Sequence, residues 1–194
     1  MGVPMPMTTR QLTMAELEAG LDEILQSPAD DGLLEMIVRR PAIGTREPIQ
    51  KGELDPAVGL VGDTWSERSS RRTSDGLPHP EMQLNIMNAR VVALVAQHAS
   101  RWPLAGDQLF VDMDLSAGNL PPGTRLALGT AVIEVTAEPH AGCNKFLERF
   151  GPDAMMFVNA SERRDLHLRG INARVVTAGR IRVGDRLTKM GRES

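Results

Sequence analysis

Cys143 is the only cysteine of this 194-residue chain, and its neighbours are of the types that promote thiol chemistry. It lies where an apolar strand-like run gives way to a helical pattern, with His140 three residues before it and Lys145 two residues after it. A thiol at a helix start beside cationic side chains has surroundings that favour the thiolate, the form that attacks sulfur, carbon or metal. The sequence therefore predicts a sulfur-handling or nucleophilic site at Cys143.

The same residues also have ordinary structural interpretations. An unpaired cysteine is usually a small buried hydrophobe, and a histidine that follows a proline at a strand end, as His140 does, is more often a half-exposed turn residue. In the functional interpretation His140 is the proton acceptor of the thiol or a contact for an anion. The other three histidines show no metal-ligand spacing with His140, so we do not expect a zinc site.

Anion binding is the second chemistry that the sequence indicates. Arg169 lies among apolar residues, where a guanidinium usually has a carboxylate or phosphate partner because it cannot lose its proton. An internal salt bridge is the alternative, and the sequence leaves the two open for Arg169. Other arginines surround a turn or lie in a polar loop, and for the loop a solvated surface is the favoured interpretation: Arg39, Arg40 and Arg46 at the turn, Arg68, Arg71 and Arg72 in the loop.

Three Gly-Asp pairs resemble, at first, a set of catalytic or metal-binding carboxylates: Gly62-Asp63, Gly106-Asp107 and Gly184-Asp185. Each pair stands where a strand begins after a turn. An aspartate there commonly accepts hydrogen bonds from nearby backbone, and the glycine tolerates positive φ. The favoured interpretation is therefore structural for all three.

Length and composition predict one compact domain. A chain of 194 residues with 41% hydrophobic residues can bury one core. Its net charge of −3 argues against a general nucleic-acid binder. No apolar stretch approaches the roughly 20 residues needed to cross a bilayer, so we expect a cytoplasmic protein with no membrane or nucleic-acid partner. A lone cysteine excludes an intramolecular disulfide.

Many short strands must position the candidate residues. Thr13 and Glu16 form a capping-box pattern at the start of a helix over 13–28. Asn88 is predicted to cap a helix from Ala89 to His98, and a shorter helix over 144–150 is expected to end in a left-handed cap at Gly151. Strands are predicted at 34–38, 83–86, 108–111, 124–128, 131–136, 174–177, 180–183 and 186–188.

This pattern favours a small β-barrel with helical decorations, a mainly β fold of the α+β class. Residues 1–32 are predicted to form an N-terminal helical extension and residues 33–190 the barrel domain. Within the barrel domain, residues 64–80 are polar and rich in Ser, Arg, Gly and Pro, which predicts a flexible loop.

An ordered set of motifs resembles the MOSC domain, which occurs at the C-terminus of molybdenum cofactor sulfurases and as free-standing bacterial proteins. The set comprises Gly59–Asp63, Ala105–Leu109, Asn119–Gly123, Glu134–Thr136 leading to His140–Cys143, Leu168–Val175 and Val183–Asp185. Several motifs in order are more specific than any single Gly-Asp turn. The resemblance covers roughly residues 33–190 and implies a mostly antiparallel β-barrel.

The resemblance also implies a function in handling sulfur or the molybdenum cofactor. By it, Cys143 accepts sulfur as a persulfide or ligates molybdenum, and the segment with Arg169 and Asn172 lines a pocket where Arg169 meets the phosphate of the pterin cofactor. His140 and Lys145 shape the site. The chain lacks the large pyridoxal-phosphate domain of the sulfurases, so we expect it to bind no pyridoxal phosphate and to receive sulfur from a pyridoxal-phosphate-dependent cysteine desulfurase.

Three hypotheses follow from these expectations. The leading one is a stand-alone MOSC protein in which Cys143 carries sulfur or contacts the molybdenum cofactor. The second is a molybdenum-cofactor-dependent reductase of N-hydroxylated or similar compounds. The third is a barrel without enzymatic activity that binds an anion or a partner protein.

Overall fold

The computed structural model describes residues 10–70 and 73–191, and its main body is a closed β-barrel. The described residues contain eleven strands: β1 (Gly32–Arg39), β2 (Glu47–Ile49), β3 (Lys51–Asp55), β4 (Gly59–Leu60), β5 (Leu84–Asn88), β6 (Leu109–Asp112), β7 (Arg125–Leu128), β8 (Ala131–Val135), β9 (Ile171–Thr177), β10 (Gly179–Arg182) and β11 (Arg186–Lys189). Seven of them pair in the order β11-β7-β8-β9-β5-β6-β1, and a β1–β11 pairing closes the ring.

The barrel is antiparallel except for one neighbouring pair. β5 and β6 run parallel, with Met87 opposite Phe110. Parallel neighbours need a crossover connection, which here consists of an α-helix and a 3-10 helix over residues 89–105. β2 extends the sheet beside β1, and β10, β3 and β4 form a separate small sheet. The prediction of a mostly antiparallel β-barrel with helical decorations is confirmed.

Alternating side chains fill the barrel. In β8 the buried residues are Ala131, Ile133 and Val135, and the residues between them are half-exposed. The same alternation explains why these short runs form strands, since successive side chains of a strand point to opposite faces. Fully buried side chains from the other strands, such as Leu34 and Ile86, complete the interior.

Five α-helices lie outside the barrel in the described part of the chain: α1 (Met14–Ala19), α2 (Leu21–Leu25), α3 (Ala89–Ala96), α4 (Asn144–Phe150) and α5 (Pro152–Asn159). They share a second apolar core with the outer face of the barrel, which includes Val38 and Phe110. Phe146 of α4 and Phe157 of α5 are buried in this core. The helical layer thus fixes α4, which begins one residue after Cys143. None of the described helices is long and apolar enough to span a membrane.

The helix signals were correct in type but not in extent. Thr13 and Glu16 form the predicted capping box, and the Asn88 side chain caps α3 as predicted by accepting from the backbone N–H groups of Arg90 and Val91. The single helix predicted over 13–28 is wrong, because a break at Gly20 separates α1 from α2. A Cβ atom at Gly20 would lie 2.7 Å from a terminal methyl of Leu94 of α3, so a larger residue there would displace the Leu94 side chain.

Two predicted helix ends also need correction. α3 ends at Ala96 rather than at His98, because Gln97 adopts a left-handed conformation with φ 64°. Gly151 has a positive φ of 92° but a ψ of 170°, so it is not the predicted left-handed cap. This combination of φ and ψ, which essentially only glycine adopts, instead directs the chain straight into α5, a helix that the sequence patterns did not reveal.

The predicted loop over 64–80 begins and ends in short 3-10 helices, Thr64–Glu67 and Pro80–Met82. Arg71 and Arg72 lie outside the described residues.

Candidate functional site

Cys143 is exposed at the N-terminal cap of α4. Its carbonyl oxygen accepts hydrogen bonds from the backbone N–H groups of Phe146 at 2.8 Å and Leu147 at 3.1 Å. Its side chain makes no capping hydrogen bond. The backbone of Cys143 is therefore fixed by the helix while the thiol faces solvent.

The residue before the thiol is held from α5. The N–H group of Gly142 donates to Oδ1 of Asn159 at 2.9 Å. A Cβ atom at position 142 would lie 2.6 Å from the Met155 sulfur, so the absence of a side chain lets the segment approach α5. Lys145, in the first turn of α4, is exposed.

His140 lies at the end of a buried polar network, with a side chain that is 10% exposed. Its Nε2 atom is 3.1 Å from Oδ1 of Asp107, an ion-pair distance, although the ring N–H direction does not meet hydrogen-bond geometry. Its Nδ1 atom is 3.3 Å from both Nδ2 of Asn85 and Oδ1 of Asn172. Both ring nitrogens therefore face protein groups. This arrangement favours an anchoring role for His140, and its role as proton acceptor stays a prediction.

Asp107 and Arg169 form the ion pair at the centre of this network. Asp107 is completely buried, and Nη1 of Arg169 donates to its two carboxylate oxygens at 3.0 and 2.8 Å. Nη2 of Arg169 donates to the carbonyl oxygen of Ala105 at 2.9 Å. The guanidinium also lies 5.0 Å from the ring centroid of Phe146. The structure thus shows the internal salt bridge that the sequence left open for Arg169.

The Asp107 carboxyl is ionised despite its burial. Burial alone raises its pKa, but the charge of Arg169, then that of His140, and the hydrogen bonds from Arg169 outweigh burial and lower the pKa overall. A stably ionised carboxylate therefore stands between Arg169 and His140.

Asn172 joins the network to the segment before Cys143. It is fully buried, and its Nδ2 atom donates to the carbonyl oxygen of Glu138 at 3.0 Å. Its Oδ1 atom accepts from Nδ2 of Asn85 at 2.6 Å. Asn172 is predicted to bind cofactor, and the structure places it where it orients both His140 and the strand end that precedes it.

A cluster of arginines lies on the other side of Asn85. Nη1 of Arg40 donates to Oδ1 of Asn85 at 3.1 Å, and the rest of this buried guanidinium forms a bidentate pair with Asp63 at 2.7 and 2.8 Å. The cluster, which we call the arginine cluster, consists of four residues that interact electrostatically: Arg40, Arg46, Arg68 and Arg149.

Positive charge exceeds negative charge in the arginine cluster. Arg46 has a buried Nε atom without a hydrogen-bond partner. Burial lowers its pKa, as do the charges of Arg149, Arg40 and Arg68, and only Asp63 opposes them. Burial and the charge of Arg40 lower the pKa of Arg68 in the same way. Four guanidinium groups that repel one another, opposed by one carboxylate, are suited to an additional anion.

A small cavity opens beside this cluster. Its volume is about 170 Å³, and its lining includes Arg40, Trp65, Arg68, His79 and Asn85. Pockets for whole cofactors usually exceed about 300 Å³, so this one suits a phosphate-sized group. A larger hollow of about 730 Å³ lies near Pro121 and Lys189 and contains none of the predicted site residues.

The structure therefore divides the predicted site residues into two groups. His140, Arg169 and Asn172 belong to one buried network, and Cys143 and Lys145 lie on the exposed start of α4. Sequence reasoning assigned Asp107 to architecture alone and missed Asn85 and Arg149. The Gly106-Asp107 pair was a visible signal that Asp107 could belong to a site. Arg149 lies in the last turn of an ordinary helical pattern, which gives no sign of a role in a site.

The protein is thus a closed β-barrel with an exposed thiol and a small cavity beside the arginine cluster. The family model of the MOSC domain matches residues 75–188, more than half of the chain. The chain therefore belongs to the MOSC domain family, and the resemblance drawn from its motifs is confirmed.

Solved structures share this fold. The YUAD protein from Bacillus subtilis is 18% identical with a TM-score of 0.59, over 80% of this chain and 93% of that one. YiiM from Escherichia coli is 17% identical with a TM-score of 0.51, over 84% of this chain and 71% of that one. A search of curated proteins found no match. At these identities the two structures establish the fold alone.

Proposed function

We propose that this MOSC-domain protein handles sulfur or the molybdenum cofactor through the thiol of Cys143. The observation that supports this proposal most directly is the exposed thiol on a fixed backbone at the start of α4. A single sulfur atom presented in this way can meet a donor protein or a metal without rearrangement of the fold. Oxidative pairing within the chain is excluded because no second cysteine exists.

In the sulfur-carrier form of the proposal, the Cys143 thiolate attacks the outer sulfur of a persulfide on a cysteine desulfurase. The bond between the two donor sulfurs breaks, and the donor cysteine leaves as a thiolate. The product is a persulfide on Cys143, with no net oxidation or reduction. Lys145, exposed two residues away, supplies positive charge near the attacking sulfur.

In the cofactor form of the proposal, the chain handles the molybdenum cofactor, which would supply a redox-active metal. The described residues contain no group of three or more His, Cys, Asp or Glu side chains able to hold a metal ion. Cys143 would therefore be the single protein ligand of molybdenum. The arginine cluster, with the unpaired Nε of Arg46, would receive the phosphate of the cofactor.

This assignment moves the proposed phosphate contact away from Arg169. Both terminal nitrogens of Arg169 are engaged by Asp107 and by the Ala105 carbonyl. Arg46 and Arg68 lie in surroundings of excess positive charge instead. The cavity beside Arg68 also has the volume of a phosphate-sized group.

Mass spectrometry tests the sulfur-carrier proposal. The chain is incubated with a cysteine desulfurase and cysteine, and we expect one added sulfur atom on the peptide that contains Cys143. The Cys143→Ser variant is the matched control and should gain none. An unmodified Cys143, in a reaction where a known acceptor protein is loaded, would contradict the proposal.

A molybdenum-cofactor-dependent reductase of N-hydroxylated or similar compounds is the second candidate, and the arginine cluster favours it. Metal analysis of the protein purified from a cofactor-producing host separates the two candidates. Molybdenum that co-purifies with the chain, is lost in Cys143→Ser and is accompanied by reductase activity supports the reductase. A protein without molybdenum and without reductase activity leaves the sulfur carrier. Ligand affinity that is unchanged in Cys143→Ser indicates an anion-binding barrel instead.

A further inference from the structure

The buried Asp107–Arg169 pair touches the chain on both sides of Cys143. On one side, Asp107 Oδ1 lies 3.1 Å from His140 Nε2, three residues before the thiol. On the other side, the Arg169 guanidinium lies over the ring of Phe146, three residues after it. One ion pair therefore contacts both anchors of the exposed segment.

The pair is also poorly suited to a role in stability alone. Both side chains are almost completely removed from water, with exposures of 6% for Arg169 and 0% for Asp107. Removing two charges from water offsets much of their attraction, and an apolar pair of similar volume often gives an equally stable fold. The Nε atom of Arg169 is buried without a hydrogen-bond partner, which weakens the stabilising effect further.

We infer that Asp107 and Arg169 are positioning residues that hold Cys143 in place for its reaction. Asp107 fixes His140, and Arg169 fixes Phe146 and through it the start of α4. Gly142, which donates to Asn159 of α5, restrains the middle of the segment. The role in reaction geometry rests on the proposed function, whereas the restraint itself does not depend on what Cys143 reacts with.

Two variants test the inference. Asp107→Asn removes the charge but keeps the shape, and the double variant Asp107→Leu with Arg169→Met replaces the ion pair by apolar side chains. Asp112→Asn is the control for loss of an arginine-paired carboxylate outside this network, since Asp112 of β6 accepts two hydrogen bonds from Arg90 at 2.7 and 3.1 Å in a pair that is more exposed than Asp107–Arg169.

The first readout is the mobility of a nitroxide spin label on Cys143, which labels a single position because the chain has no other cysteine. We expect a shorter rotational correlation time of the label in Asp107→Asn and in the double variant, and no change in Asp112→Asn. An unchanged correlation time of the label in folded Asp107 variants would overturn the inference. An equal change of the correlation time in Asp112→Asn would also overturn it. If neither Asp107 variant folds, Phe146→Leu removes the guanidinium–ring contact together with the contact between the Phe146 and Phe150 rings. Phe150→Leu, which loses the ring–ring contact but keeps Arg169 over Phe146, is then the control, and an equal change of the label in both would overturn the inference.

The second readout is the rate of sulfur transfer to Cys143 from a desulfurase. Small displacements of a reacting atom slow reactions by on the order of 10- to 100-fold, and we expect a loss in this range for the double variant at unchanged thermal stability. Equal transfer rates in the double variant and the wild type would overturn the positioning role. If the wild type accepts no sulfur, the proposed function fails and the spin label alone decides the inference.

Discussion

Replacing Arg46 with methionine is expected to stabilise the fold and to weaken anion binding at the same time. The charged form of Arg46 is disfavoured by burial, then by the charges of Arg149, Arg40 and Arg68, and its Nε atom has no hydrogen-bond partner. Methionine keeps an unbranched apolar stem but removes the charge. The substitution therefore relieves repulsion in the free protein and removes one of the positive charges that would attract the proposed anion.

The size of the effect follows from the partial burial of Arg46. An unsatisfied buried polar group costs about 1–3 kcal/mol, and loss of packing by the arginine stem offsets part of the relief. We expect a net gain in the free energy of unfolding of about 0.5–1 kcal/mol, typical of single stabilising substitutions. For a chain of this length that gain corresponds to a rise in Tm of about 1–4 °C.

Thermal unfolding with and without inorganic phosphate measures both effects. At phosphate concentrations tenfold above Kd, binding stabilises the wild type by about 1.4 kcal/mol, or about 3–6 °C in Tm. Arg46→Met should begin with a higher Tm and lose most of the phosphate-induced rise. Chloride at equal ionic strength controls for screening, and Arg186→Met, at an arginine with a 58% exposed side chain, controls for the loss of one charge.

The opposite result would refute this reasoning. If Arg46→Met lowers Tm and retains the full phosphate effect, then Arg46 stabilises the fold and the arginine cluster does not bind the anion.

Three further predictions follow from single features of the structure. Gly170 has a φ of 114°, and a Cβ atom there would lie 2.2 Å from the Ile86 carbonyl oxygen, so Gly170→Ala should lower the free energy of unfolding, measured by chemical denaturation, by at least about 3 kcal/mol. Gly184→Ala, at φ 96° with open space, should lower it by only about 1–2 kcal/mol. Equal losses in the two variants would contradict the steric argument. The folded-state pKa of Asp107 is lowered, so the stabilising contribution of its ionised form is present above the unfolded pKa of about 3.9 and is lost as pH falls through the folded pKa. The stability of Asp107→Asn to acid should therefore depend less steeply on pH than that of the wild type. Identical pH profiles would argue against an ionised Asp107. Cys143 is exposed, so a thiol reagent should modify one group per native chain without denaturant and none in Cys143→Ser; modification only after unfolding would show that the thiol is covered.

Local patterns were sufficient to predict most of the barrel. Alternating apolar residues, as in β8, identify strands because one face of each strand is buried. The caps at Thr13 and Asn88 were predictable because they depend on residues close together in sequence. The closure of the barrel by β1 and β11 joins residues about 150 positions apart. The many short strands favoured a barrel, but no local pattern indicated which strands close it.

The site was harder to predict because its contacts are long-range. The thiol was identified from its own neighbours, but the network behind it joins residues from separate elements: Arg40, Asn85, Asp107, His140, Arg169 and Asn172. A Gly-Asp turn looks the same in sequence whether its carboxylate caps backbone, as Asp185 does for the N–H of Arg182, or pairs with a buried arginine. Arg149 comes near the other members of the arginine cluster only because α4 packs against the barrel through the second core, which no local pattern encodes.

Transfer of heavy-isotope sulfur tests the central claim most directly. A cysteine desulfurase loaded with isotopically labelled cysteine is mixed with the chain, and the isotope content of the Cys143 peptide is followed over time. The account predicts labelled sulfur on Cys143 that appears as the donor persulfide disappears and can be removed by a reducing thiol. Label that remains on the desulfurase, with Cys143 unmodified in the folded chain, would contradict the account.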